Sequence, residues 1–281
     1  MHDVIIIGSG PAGISAAIHL RKINIEALVI GKDYGQLTKL DMIDNWYGQL
    51  PISGERLIEK GIEQAIHLGI PVKKETVLNV ETLDDHFVVT TNQFVYQSKT
   101  LVLATGKPRV PLNIEGFMRL KSRGIHLCTT CDGLLYKRKP VSIIGSGPYM
   151  EQELKVLENF TKDITIFTNG KNYTHPTYKV IQEEIVEFVG EKRLESIQTT
   201  QNNYPFRGVF LALDYPQATE LSLKLGVLME SSNILVDENH QTNIKGLFAA
   251  GDVLGGTLQI TKAVYDGLCV SEGIRKYLNK N

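Results

Sequence analysis

The residues best placed to do chemistry are two cysteines, Cys128 and Cys131, in the segment CTTCDG. Residues three positions apart lie on one face of a helix, so a helix that begins here would bring the two sulfurs together. A helix N-terminus also stabilises a thiolate and lowers its pKa. In a reducing compartment a close cysteine pair is more often catalytic or metal-binding than structural. The segment is therefore a candidate redox dithiol.

A zinc site is the main alternative for this segment, and it is disfavoured. Zinc takes about four nitrogen or sulfur ligands, whereas His126, Cys128 and Cys131 supply three. The remaining cysteine, Cys269, lies far along the chain in DGLCVSEG and is interpreted as a core residue. No metal is predicted.

A second kind of chemistry is indicated by the turn GSGPAG, residues Gly8–Gly13, which follows the apolar run DVIIIG. Such a run is typical of a parallel strand buried on both faces. In this kind of turn Gly8 makes the tight bend, Gly10 lets the backbone approach a pyrophosphate, and Gly13 lets helix and strand pack closely. The helix N-terminus then stabilises the phosphate charge. The turn predicts a dinucleotide site, although an ordinary glycine turn has the same pattern.

The elements that must position these groups fall into two similar halves. The run PVSIIG leads into a second turn, GSGPYM at residues 145–150, which is followed by a helix and the strand-like ITIFT at residues 164–168. Two strand–turn–helix units predict an α/β fold with two nucleotide-binding-type, Rossmann-like domains, the second inserted into the first. Between the halves, Thr76–Val89 and Phe94–Leu103 are rich in β-branched and aromatic residues and predict a small antiparallel layer.

Polar connectors set the predicted domain boundaries. The first domain is predicted to comprise residues 1–109 and 234–281, and the second domain residues 110–233. Buried strands that end in glycine turns close the first domain at LVLATG and GLFAAGD.

Bulk properties exclude several classes of function. The chain has 281 residues and a net charge of −1, so an overall electrostatic attraction to nucleic acid or to an anionic membrane is absent. No apolar run is long enough to span a bilayer. The N-terminal MHDVIIIGSG enters a strand without a signal-peptide pattern. We therefore expect a cytoplasmic protein that binds neither nucleic acid nor membrane.

The order and spacing of GSGPAG, ATG, CTTCDG and the GD pair at Gly251–Asp252 resemble the low-molecular-weight thioredoxin reductases over nearly the whole chain. The resemblance implies FAD-dependent disulfide oxidoreductase architecture, FAD as cofactor, thioredoxin as partner and a homodimer. It also implies roles by position. Cys131 would face the flavin, and Cys128 would attack the substrate disulfide through a mixed disulfide. Asp132 would carry the proton for the thiol that leaves or arrives.

The resemblance further assigns FAD contacts. GSGPAG would hold the pyrophosphate, Asp252 the ribitol chain, and Gln259 with Ile260 the pyrimidine edge of the flavin. The family often has arginine before that glutamine, where this chain has Leu258. The full predicted set is Gly8, Ser9, Gly10, Pro11, Ala12, Gly13, Gly31, Gln36, Leu37, Asn45, Thr105, Gly106, Gly251, Asp252, Gln259 and Ile260.

The second turn departs from the family pattern. Its third glycine position holds Met150, where close helix–strand contact favours Gly or Ala. The family's basic segment for the 2′-phosphate of NADPH corresponds to residues 167–173, which contain one lysine and no arginine. A 2′-phosphate needs charge-assisted donors, which arginine supplies best. Residues 213–219 match the family's GxxPNT stretch only at Pro216 and Thr219. These departures predict a degenerate pyridine-nucleotide site.

A minority branch of the family lacks the NADPH motifs and takes electrons from reduced ferredoxin, and this chain resembles that branch. Flavin suits such a donor because it can collect single electrons and pass on a pair. Two alternatives stay open. One is an NAD(P)H-dependent thioredoxin reductase with a degenerate nucleotide site, and the other is a non-catalytic flavin redox sensor.

Basic residues gather around the dithiol in sequence and could attract an acidic ferredoxin. The alternative is that they are ordinary solvated turn charges. They are Lys107, Arg109, Lys121, Arg123, Lys137, Arg138 and Lys139.

Overall fold

The computed structural model describes residues 1–83, 85–106, 114–213, 218–230 and 233–280. Only the backbone is described for Gln36, Ala218, Thr219 and Lys280.

The chain divides into two compact units. Unit 1 comprises Met1–Pro108 and Gln217–Asn281, and unit 2 comprises Arg109–Pro216. Unit 2 is thus inserted into unit 1 in sequence. The mixed α/β architecture with parallel sheets confirms the predicted fold class.

Unit 1 is built from strands and helices numbered here in chain order. Its strands are β1 (His2–Ile7), β2 (Ala27–Gly31), β3 (Val72–Lys74), β4 (Val77–Leu83), β5 (His86–Thr91), β6 (Val95–Leu103), β15 (Met229–Glu230), β16 (Asn233–Ile234) and β17 (Leu247–Ala249). Its helices are α1 (Pro11–Lys22), α2 (Gly54–His67), α6 (Ala218–Leu225) and α7 (Ile260–Lys280), with 3₁₀ turns at Gln36–Lys39 and Gly251–Leu254.

The main sheet of unit 1 has the order β3-β2-β1-β6-β5-β4, with β17 also beside β6. β1 is parallel to both β2 and β6, whereas β4, β5 and β6 form an antiparallel meander. The first half of β6 pairs with β5 and its last three residues pair with β17. The predicted antiparallel layer is therefore confirmed, and β6 joins it to the parallel sheet.

The apolar run of β1 is continuous because both of its faces are buried. Val4 and Ile6 pack in one core cluster with residues of α1 and α7, including Leu20 and Ile274. The alternate residues, Ile5 among them, pack on the other side with β4 and β5. Each strand residue thus has a buried environment, as expected of a parallel strand covered on two sides.

Unit 2 carries a second parallel sheet with the order β10-β9-β8-β14-β7 and a separate antiparallel sheet β11-β12-β13. Its strands are β7 (Ile125–His126), β8 (Val141–Ile144), β9 (Ile164–Phe167), β10 (Lys179–Ile181), β11 (Ile185–Val189), β12 (Ser196–Thr199), β13 (Asn203–Tyr204) and β14 (Val209–Leu211). Its helices are α3 (Phe117–Leu120), α4 (Thr129–Asp132) and α5 (Pro148–Leu157), with a 3₁₀ turn at Gly133–Tyr136.

One predicted boundary needs correction. The inserted domain was expected to extend to residue 233, whereas unit 2 ends at Pro216. The reason is packing: Leu221 of α6 and Val227 after it are buried in the core cluster that contains Val80 and Phe87 of unit 1. The segment 218–230 therefore belongs to the unit 1 core.

Helix α7 carries the third cysteine, Cys269. Val270 and Ile274 on the same helix are fully buried, whereas the Cys269 side chain is partly exposed and lies beside Tyr265. The prediction that Cys269 is a core residue is thus wrong, because the core-facing stripe of α7 does not include it. Within the described ranges, no helix is both long and apolar enough to cross a membrane.

Candidate active site

The two cysteines lie at the start of a short helix at the edge of the unit 2 sheet. Helix α4 begins directly after Cys128, whose Sγ accepts a hydrogen bond from the Cys131 N–H at 3.1 Å. Strand β7 ends at His126 and is held in register by β14. The sheet therefore fixes the point at which the helix begins, and the helix N-terminus favours negative charge on sulfur.

Cys128 and Cys131 form a disulfide, with an S–S distance of 2.02 Å and Cα atoms 5.3 Å apart. The two sulfurs meet as their spacing predicts. Their exposure differs, since Cys128 is 1% exposed and Cys131 is exposed. The role that the resemblance gives to Cys128, attack on a protein disulfide, requires this buried sulfur to become accessible after the disulfide opens.

His126 is a functional candidate that the sequence analysis considered only as a zinc ligand. Its Nδ1 lies 3.0 Å from Oδ2 of Asp132, and its Nε2 lies 2.9 Å from the Tyr136 hydroxyl. The two cysteines are bonded to each other, and the imidazole is directed at Asp132. The signal in the sequence was a histidine two residues before the dithiol, with no indication of what it would face.

Tyr136 extends this chain of polar contacts. Its hydroxyl donates a hydrogen bond to the Arg207 carbonyl oxygen at 3.1 Å. Burial, with a smaller contribution from the negative charge of Asp132, raises the pKa of Tyr136 above its ordinary value. The phenol therefore stays neutral and keeps its proton at physiological pH.

A second carboxylate supports the dithiol segment from α5. The Thr129 hydroxyl donates a hydrogen bond to Oε2 of Glu153, whose side chain is only 2% exposed. The contact links the first residue of α4 to the helix that follows the second glycine turn. Sequence reasoning missed Glu153, because nothing in the local pattern indicates that α5 packs on α4.

The predicted flavin contacts lie where strands of unit 1 end. Ser9 and Gly10 follow β1, Gly31 ends β2, Thr105 follows β6 and Gly251 follows β17. These four strands are mutually parallel along the sheet, so their carboxyl ends share one edge. In open α/β sheets this edge is where nucleotides bind.

The turn after β1 has the packing that a pyrophosphate site requires. Gly8 has φ +118°, and a Cβ on it would lie 2.1 Å from the Ala104 carbonyl oxygen. A Cβ on Gly13 would lie 1.9 Å from the Gly8 carbonyl oxygen, so strand and helix touch there. A Cβ on Gly10 would meet nothing within 4 Å, which leaves space above the N-terminus of α1. Pro11 and Ala12 complete the first turn of that helix.

Two predicted flavin residues far apart in sequence come together. The Asn45 side-chain amide donates a hydrogen bond to Oε1 of Gln259 at 3.4 Å. Gln259 directly precedes α7, whose first residue is Ile260. Leu37 lies in the 3₁₀ turn at Gln36–Lys39, and the side chain of Gln36 lies outside the described part of the structure.

The turn at Gly251 and Asp252 is held by residues that the sequence analysis did not single out. The Gly251 N–H donates to Oδ2 of the buried Asp266 at 2.9 Å. Lys262 forms an ion pair with the same oxygen at 2.7 Å and donates to the Gly251 carbonyl at 3.2 Å. Both residues lie on α7, so this helix fixes the turn that carries Asp252. Lys262 and Asp266 are four residues apart, so the sequence could have indicated that they pair on one face of a helix.

The Oγ1 atom of Thr105 is buried and finds no hydrogen-bond partner among the described residues. Buried hydroxyl groups are normally satisfied, so a polar ligand at this strand end would complete it. With the open space at Gly10 and the parallel strand ends, the donor set fits a dinucleotide such as FAD.

The second glycine turn has a different character. A Cβ on Gly145 would lie 2.1 Å from the Ala212 carbonyl oxygen, so the tight bend itself is kept. Met150, at the third glycine position, is fully buried, and its Cβ is the side-chain atom nearest to the Gly145 position. The turn thus retains its backbone shape while a large side chain fills the place where the fingerprint requires close helix–strand contact.

The N-terminus of α5 also carries an acidic side chain. Glu151 lies in the first turn of α5, accepts a hydrogen bond from the Tyr173 hydroxyl at Oε1, and lies 3.7 Å from His175 Nε2 at Oε2. Tyr173 is the last residue of the segment 167–173 that was compared with the family's basic segment, and His175 lies two residues beyond it. A carboxylate at a helix N-terminus opposes the binding of another anion there, because both compete for the same positive end of the dipole.

The model of the pyridine nucleotide-disulphide oxidoreductase family matches residues 2–174 and, in a second match, residues 149–267. The chain belongs to this family.

Three related proteins match 98–100% of the length of this oxidoreductase. The atypical thioredoxin reductase TRi from Desulfovibrio vulgaris Hildenborough is 28% identical, with a TM-score of 0.90 over 100% of this chain and 99% of that chain. A ferredoxin-flavin thioredoxin reductase from Clostridium acetobutylicum is 30% identical, with a TM-score of 0.74 over 100% and 99% of the two chains. A 34.2 kDa protein in the rubredoxin operon of Clostridium pasteurianum is 32% identical over 98% of this chain and 97% of that protein.

This member of the pyridine nucleotide-disulphide oxidoreductase family is therefore a flavin disulfide reductase of the thioredoxin-reductase type, with FAD as its cofactor. The predicted family and cofactor are confirmed. The individual FAD contacts and the roles of Cys128, Cys131 and Asp132 stay predictions. The basic residues Lys107 and Arg109 lie outside the described part of the structure.

Proposed function

We propose that this oxidoreductase reduces the disulfide of thioredoxin through the Cys128–Cys131 dithiol, with electrons delivered to FAD by reduced ferredoxin rather than by NADPH. The assignment of the electron donor rests on the second glycine turn. There Met150 is buried at the third glycine position, and Glu151 lies in the first turn of α5, so the turn lacks features that binding of a pyridine nucleotide needs. The proposed substrate follows from the type of enzyme and from the disulfide at the start of α4.

The dithiol chemistry is a balanced exchange of two electrons. Reduced FAD, when bound, would supply the electron pair that opens the Cys128–Cys131 disulfide. The Cys128 thiolate then attacks one sulfur of the substrate disulfide, forming a mixed disulfide and releasing one substrate thiolate. The Cys131 thiolate attacks Sγ of Cys128, which restores the enzyme disulfide and releases the second substrate sulfur. Each released sulfur takes up one proton, and Asp132, the residue after Cys131, would deliver one of them.

The FAD site is assigned to the carboxyl edge of the unit 1 sheet. The backbone of Gly8–Gly13 would hold the pyrophosphate at the N-terminus of α1. Thr105 and Asp252 would bind through hydroxyl and carboxylate oxygens, and Asn45 with Gln259 through amide groups. Each lies on a strand end or loop whose position is fixed by strands β1, β6 and β17 or by α7.

Electrostatics at the second turn disfavours a pyridine nucleotide as donor. NADPH brings a pyrophosphate and a 2′-phosphate, which need cationic or N–H donors that face them. The corresponding loop offers Lys171 as its one cation, and Glu151 places a negative charge at the helix N-terminus. Repulsion between Glu151 and the phosphates weakens NADPH binding, and so does the absence of an arginine side chain that could bind a phosphate. We therefore do not expect micromolar affinity for NADPH.

Ferredoxin, thioredoxin and a reactive dithiol together suit a reducing compartment, and we assign the protein to the cytoplasm on that ground. A homodimer is the assembly expected for this type of reductase. Light scattering of the purified FAD-loaded protein tests that expectation directly.

The decisive experiment is anaerobic mixing of the oxidised, FAD-loaded protein with each donor in turn, followed by the loss of flavin absorbance. Reduced ferredoxin should bleach the flavin rapidly, whereas NADH and NADPH at millimolar concentration should not. Thioredoxin added afterwards should be reduced over many turnovers. Rapid bleaching by NADPH would overturn the donor assignment. Bleaching by ferredoxin without any thioredoxin reduction would identify a flavin redox sensor instead.

A further inference from the structure

We propose that His126, held in place by Tyr136, forms a proton relay behind Asp132: it positions the Asp132 carboxyl group and supplies the proton that Asp132 gives to a leaving thiolate. The inference rests on the proposed function, because it names how the same dithiol obtains its protons. His126 lies in unit 2 between the two groups, 3.0 Å from Asp132 Oδ2 and 2.9 Å from the Tyr136 hydroxyl.

The hydrogen bonds from Tyr136 through His126 to Asp132 determine which atom of each group carries a hydrogen. The Tyr136 hydroxyl has one proton, which it donates to the Arg207 carbonyl oxygen at 3.1 Å. Nε2 of His126 must then carry a hydrogen and donate it to the phenol oxygen. Only Nδ1 is left to interact with Asp132, and this contact is favourable when the pair shares a single proton, held on Nδ1 or on Oδ2. Asp132 is thereby coupled to a second group that can store its proton.

The imidazole is rigidly placed. His126 is 5% exposed and stacks on Phe210, with ring centroids 5.4 Å apart and an interplanar angle of 29°. The ring of Tyr136 meets it edge-on at 5.3 Å. His126 and Phe210 are also paired in register on β7 and β14, so the backbone holds the two rings together. Rotating the imidazole away from Asp132 would require repacking of these aromatic rings.

The relay joins the buried imidazole of His126 to the more exposed carboxylate of Asp132. Asp132 closes α4 with its side chain 36% exposed, and it follows Cys131 directly. The described titratable groups in contact with His126 are Asp132 and Tyr136. The imidazole also stacks on Phe210, and Arg207 takes part through its backbone carbonyl, which accepts from Tyr136. Glu153 on α5 contacts the same helix through Thr129 and belongs to the electrostatic surroundings.

In the proposed step the electrons and the proton have separate routes. The Cys131 thiolate attacks Sγ of Cys128 in the mixed disulfide, the Cys128–substrate S–S bond breaks, and the bonding pair leaves on the substrate sulfur. The single proton shared with His126 moves to the Asp132 carboxyl oxygen and from there to that sulfur, which leaves Asp132 ionised and His126 neutral with its hydrogen on Nε2. Solvent then restores one proton to the pair. A general acid of this kind matters most when the leaving thiol is weakly acidic, because a stable thiolate leaves without help.

The dependence on the leaving group gives a test that does not require thioredoxin. The FAD-loaded protein is reduced chemically with dithionite and freed of excess reductant. It is then mixed with an aryl disulfide whose thiol is strongly acidic, or with an alkyl disulfide such as hydroxyethyl disulfide. The variants are His126→Phe, which keeps an aromatic ring, His126→Asn, which retains an amide near the Nδ1 position, and Tyr136→Phe.

We expect His126→Phe to reduce the alkyl disulfide about 10- to 100-fold more slowly than wild type, a part of the 10²–10⁴-fold range of general acids. The aryl disulfide should react at the wild-type rate. His126→Asn should recover part of the loss, and Tyr136→Phe should lose about 3- to 10-fold. The pH profile of the alkyl reaction should change shape in His126→Phe, whereas a purely structural defect would slow both disulfides equally at every pH.

A double-mutant cycle completes the test. Asp132→Asn alone should show the full loss with the alkyl disulfide, and adding His126→Phe should cause no further loss, because the relay acts through Asp132. Equal rates for His126→Phe and wild type with the alkyl disulfide, or losses that add in the double variant, would overturn the relay. Failure of the wild type to reduce thioredoxin would instead overturn the proposed function, and the two disulfides would still report on the relay.

Discussion

The amide of Asn45 and the amide of Gln259 meet at a hydrogen-bond distance of 3.4 Å, although the two residues belong to opposite ends of the chain. Gln259 is held by the start of α7, and Asn45 lies in the loop before α2. The contact joins the two sequence segments of unit 1 at the proposed flavin site. It explains how the long insertion of unit 2 can leave a single cofactor site intact.

The first prediction concerns this pair. Gln259→Ala should weaken FAD binding about 2- to 10-fold, since loss of one hydrogen bond costs about 0.5–1.5 kcal/mol. Fluorescence titration of the apoprotein with FAD measures the effect. Gln201→Ala, at an exposed turn of unit 2, is the matched control and should bind FAD like wild type. Equal affinities for Gln259→Ala and the control would remove Gln259 from the site.

The second prediction separates folding from cofactor binding at the first glycine turn. Gly10→Ala should fold with an unchanged melting temperature as apoprotein but lose FAD, because its Cβ has free space and would occupy the path of the pyrophosphate. Gly13→Ala should fail to fold stably, since its Cβ would lie 1.9 Å from the Gly8 carbonyl oxygen.

The control for both glycine variants is Gly61→Ala in the interior of α2. Its nearest neighbour would be a methyl group at 3.5 Å, so it should be neutral or more stable by about 0.5–1 kcal/mol. Thermal unfolding of the apoproteins and the flavin absorbance of the purified proteins are measured together. Normal FAD content in Gly10→Ala would contradict the pyrophosphate assignment.

The third prediction tests the roles of the two sulfurs. Cys131→Ser should retain FAD but lose the long-wavelength thiolate–flavin band on reduction. Cys128→Ser should keep that band and should not form a mixed disulfide. Cys131→Ser, which retains Cys128, should accumulate a mixed disulfide with a thioredoxin variant that lacks its own resolving cysteine.

The low exposure of Cys128 makes this test informative, because Cys131 is the exposed residue of the pair. Mass spectrometry of the trapped complex identifies the bonded cysteine. A mixed disulfide on Cys131 in the Cys128→Ser variant would reverse the assignment of inner and outer sulfur.

The fourth prediction concerns ferredoxin docking. Exposed basic residues flank α4 in sequence. Arg123 precedes this helix, and Lys137, Arg138 and Lys139 follow the 3₁₀ turn after it. Lys137→Glu with Arg138→Glu should slow ferredoxin-driven flavin reduction about tenfold or more at low salt, because an acidic carrier is steered by positive potential. The wild-type rate should fall as salt rises, since the Debye length shrinks to about 8 Å at physiological ionic strength.

A second basic pair in unit 2 provides the control for docking. Lys192→Glu with Arg193→Glu makes the same change of charge at an exposed turn away from the dithiol in sequence. This variant should keep the wild-type rate, and dithionite reduction should be unchanged in both variants. A salt-independent rate, with the first pair as fast as wild type, would make these residues ordinary surface charges.

The fifth prediction is a pH dependence of stability. Burial, and then the hydrogen bond to Glu75, raise the pKa of Tyr96 to about 12. An unfolded tyrosine has a pKa of about 10. The folded state therefore holds this proton more tightly, so the stabilisation is complete below pH 10 and is lost as the pH rises through 12.

Urea unfolding between pH 9 and 12 measures this linkage. Tyr96→Phe should make the decline of unfolding free energy between pH 10 and 12 shallower than in wild type. Tyr47→Phe, at a fully exposed side chain, should leave the slope unchanged. Identical slopes for Tyr96→Phe and wild type would contradict the assignment.

The sequence by itself determined the local chemistry of this protein. CTTCDG and GSGPAG are short segments whose function depends on residue type and spacing, so the disulfide at α4 and the tight turn after β1 follow from a few neighbouring residues. The fold class follows for the same reason, because strand–turn–helix units are local patterns. The departure of the second glycine turn from the nucleotide-binding pattern could also be predicted from the sequence, since Met150 occupies a position that needs a small residue.

Only the tertiary structure decided which distant groups meet. The contact of Asn45 with Gln259 and the loop that carries Tyr173 onto Glu151 depend on packing between segments that are separate in sequence. The inserted unit ends at Pro216 rather than at the predicted residue 233, because Leu221 of α6 is buried in the unit 1 core. His126 faces Asp132 because the pairing of β7 with β14 places its ring on Phe210. Spacing along a chain determines which residues share one helix or turn, whereas contacts between elements are set by burial of apolar surface and by strand pairing over long separations.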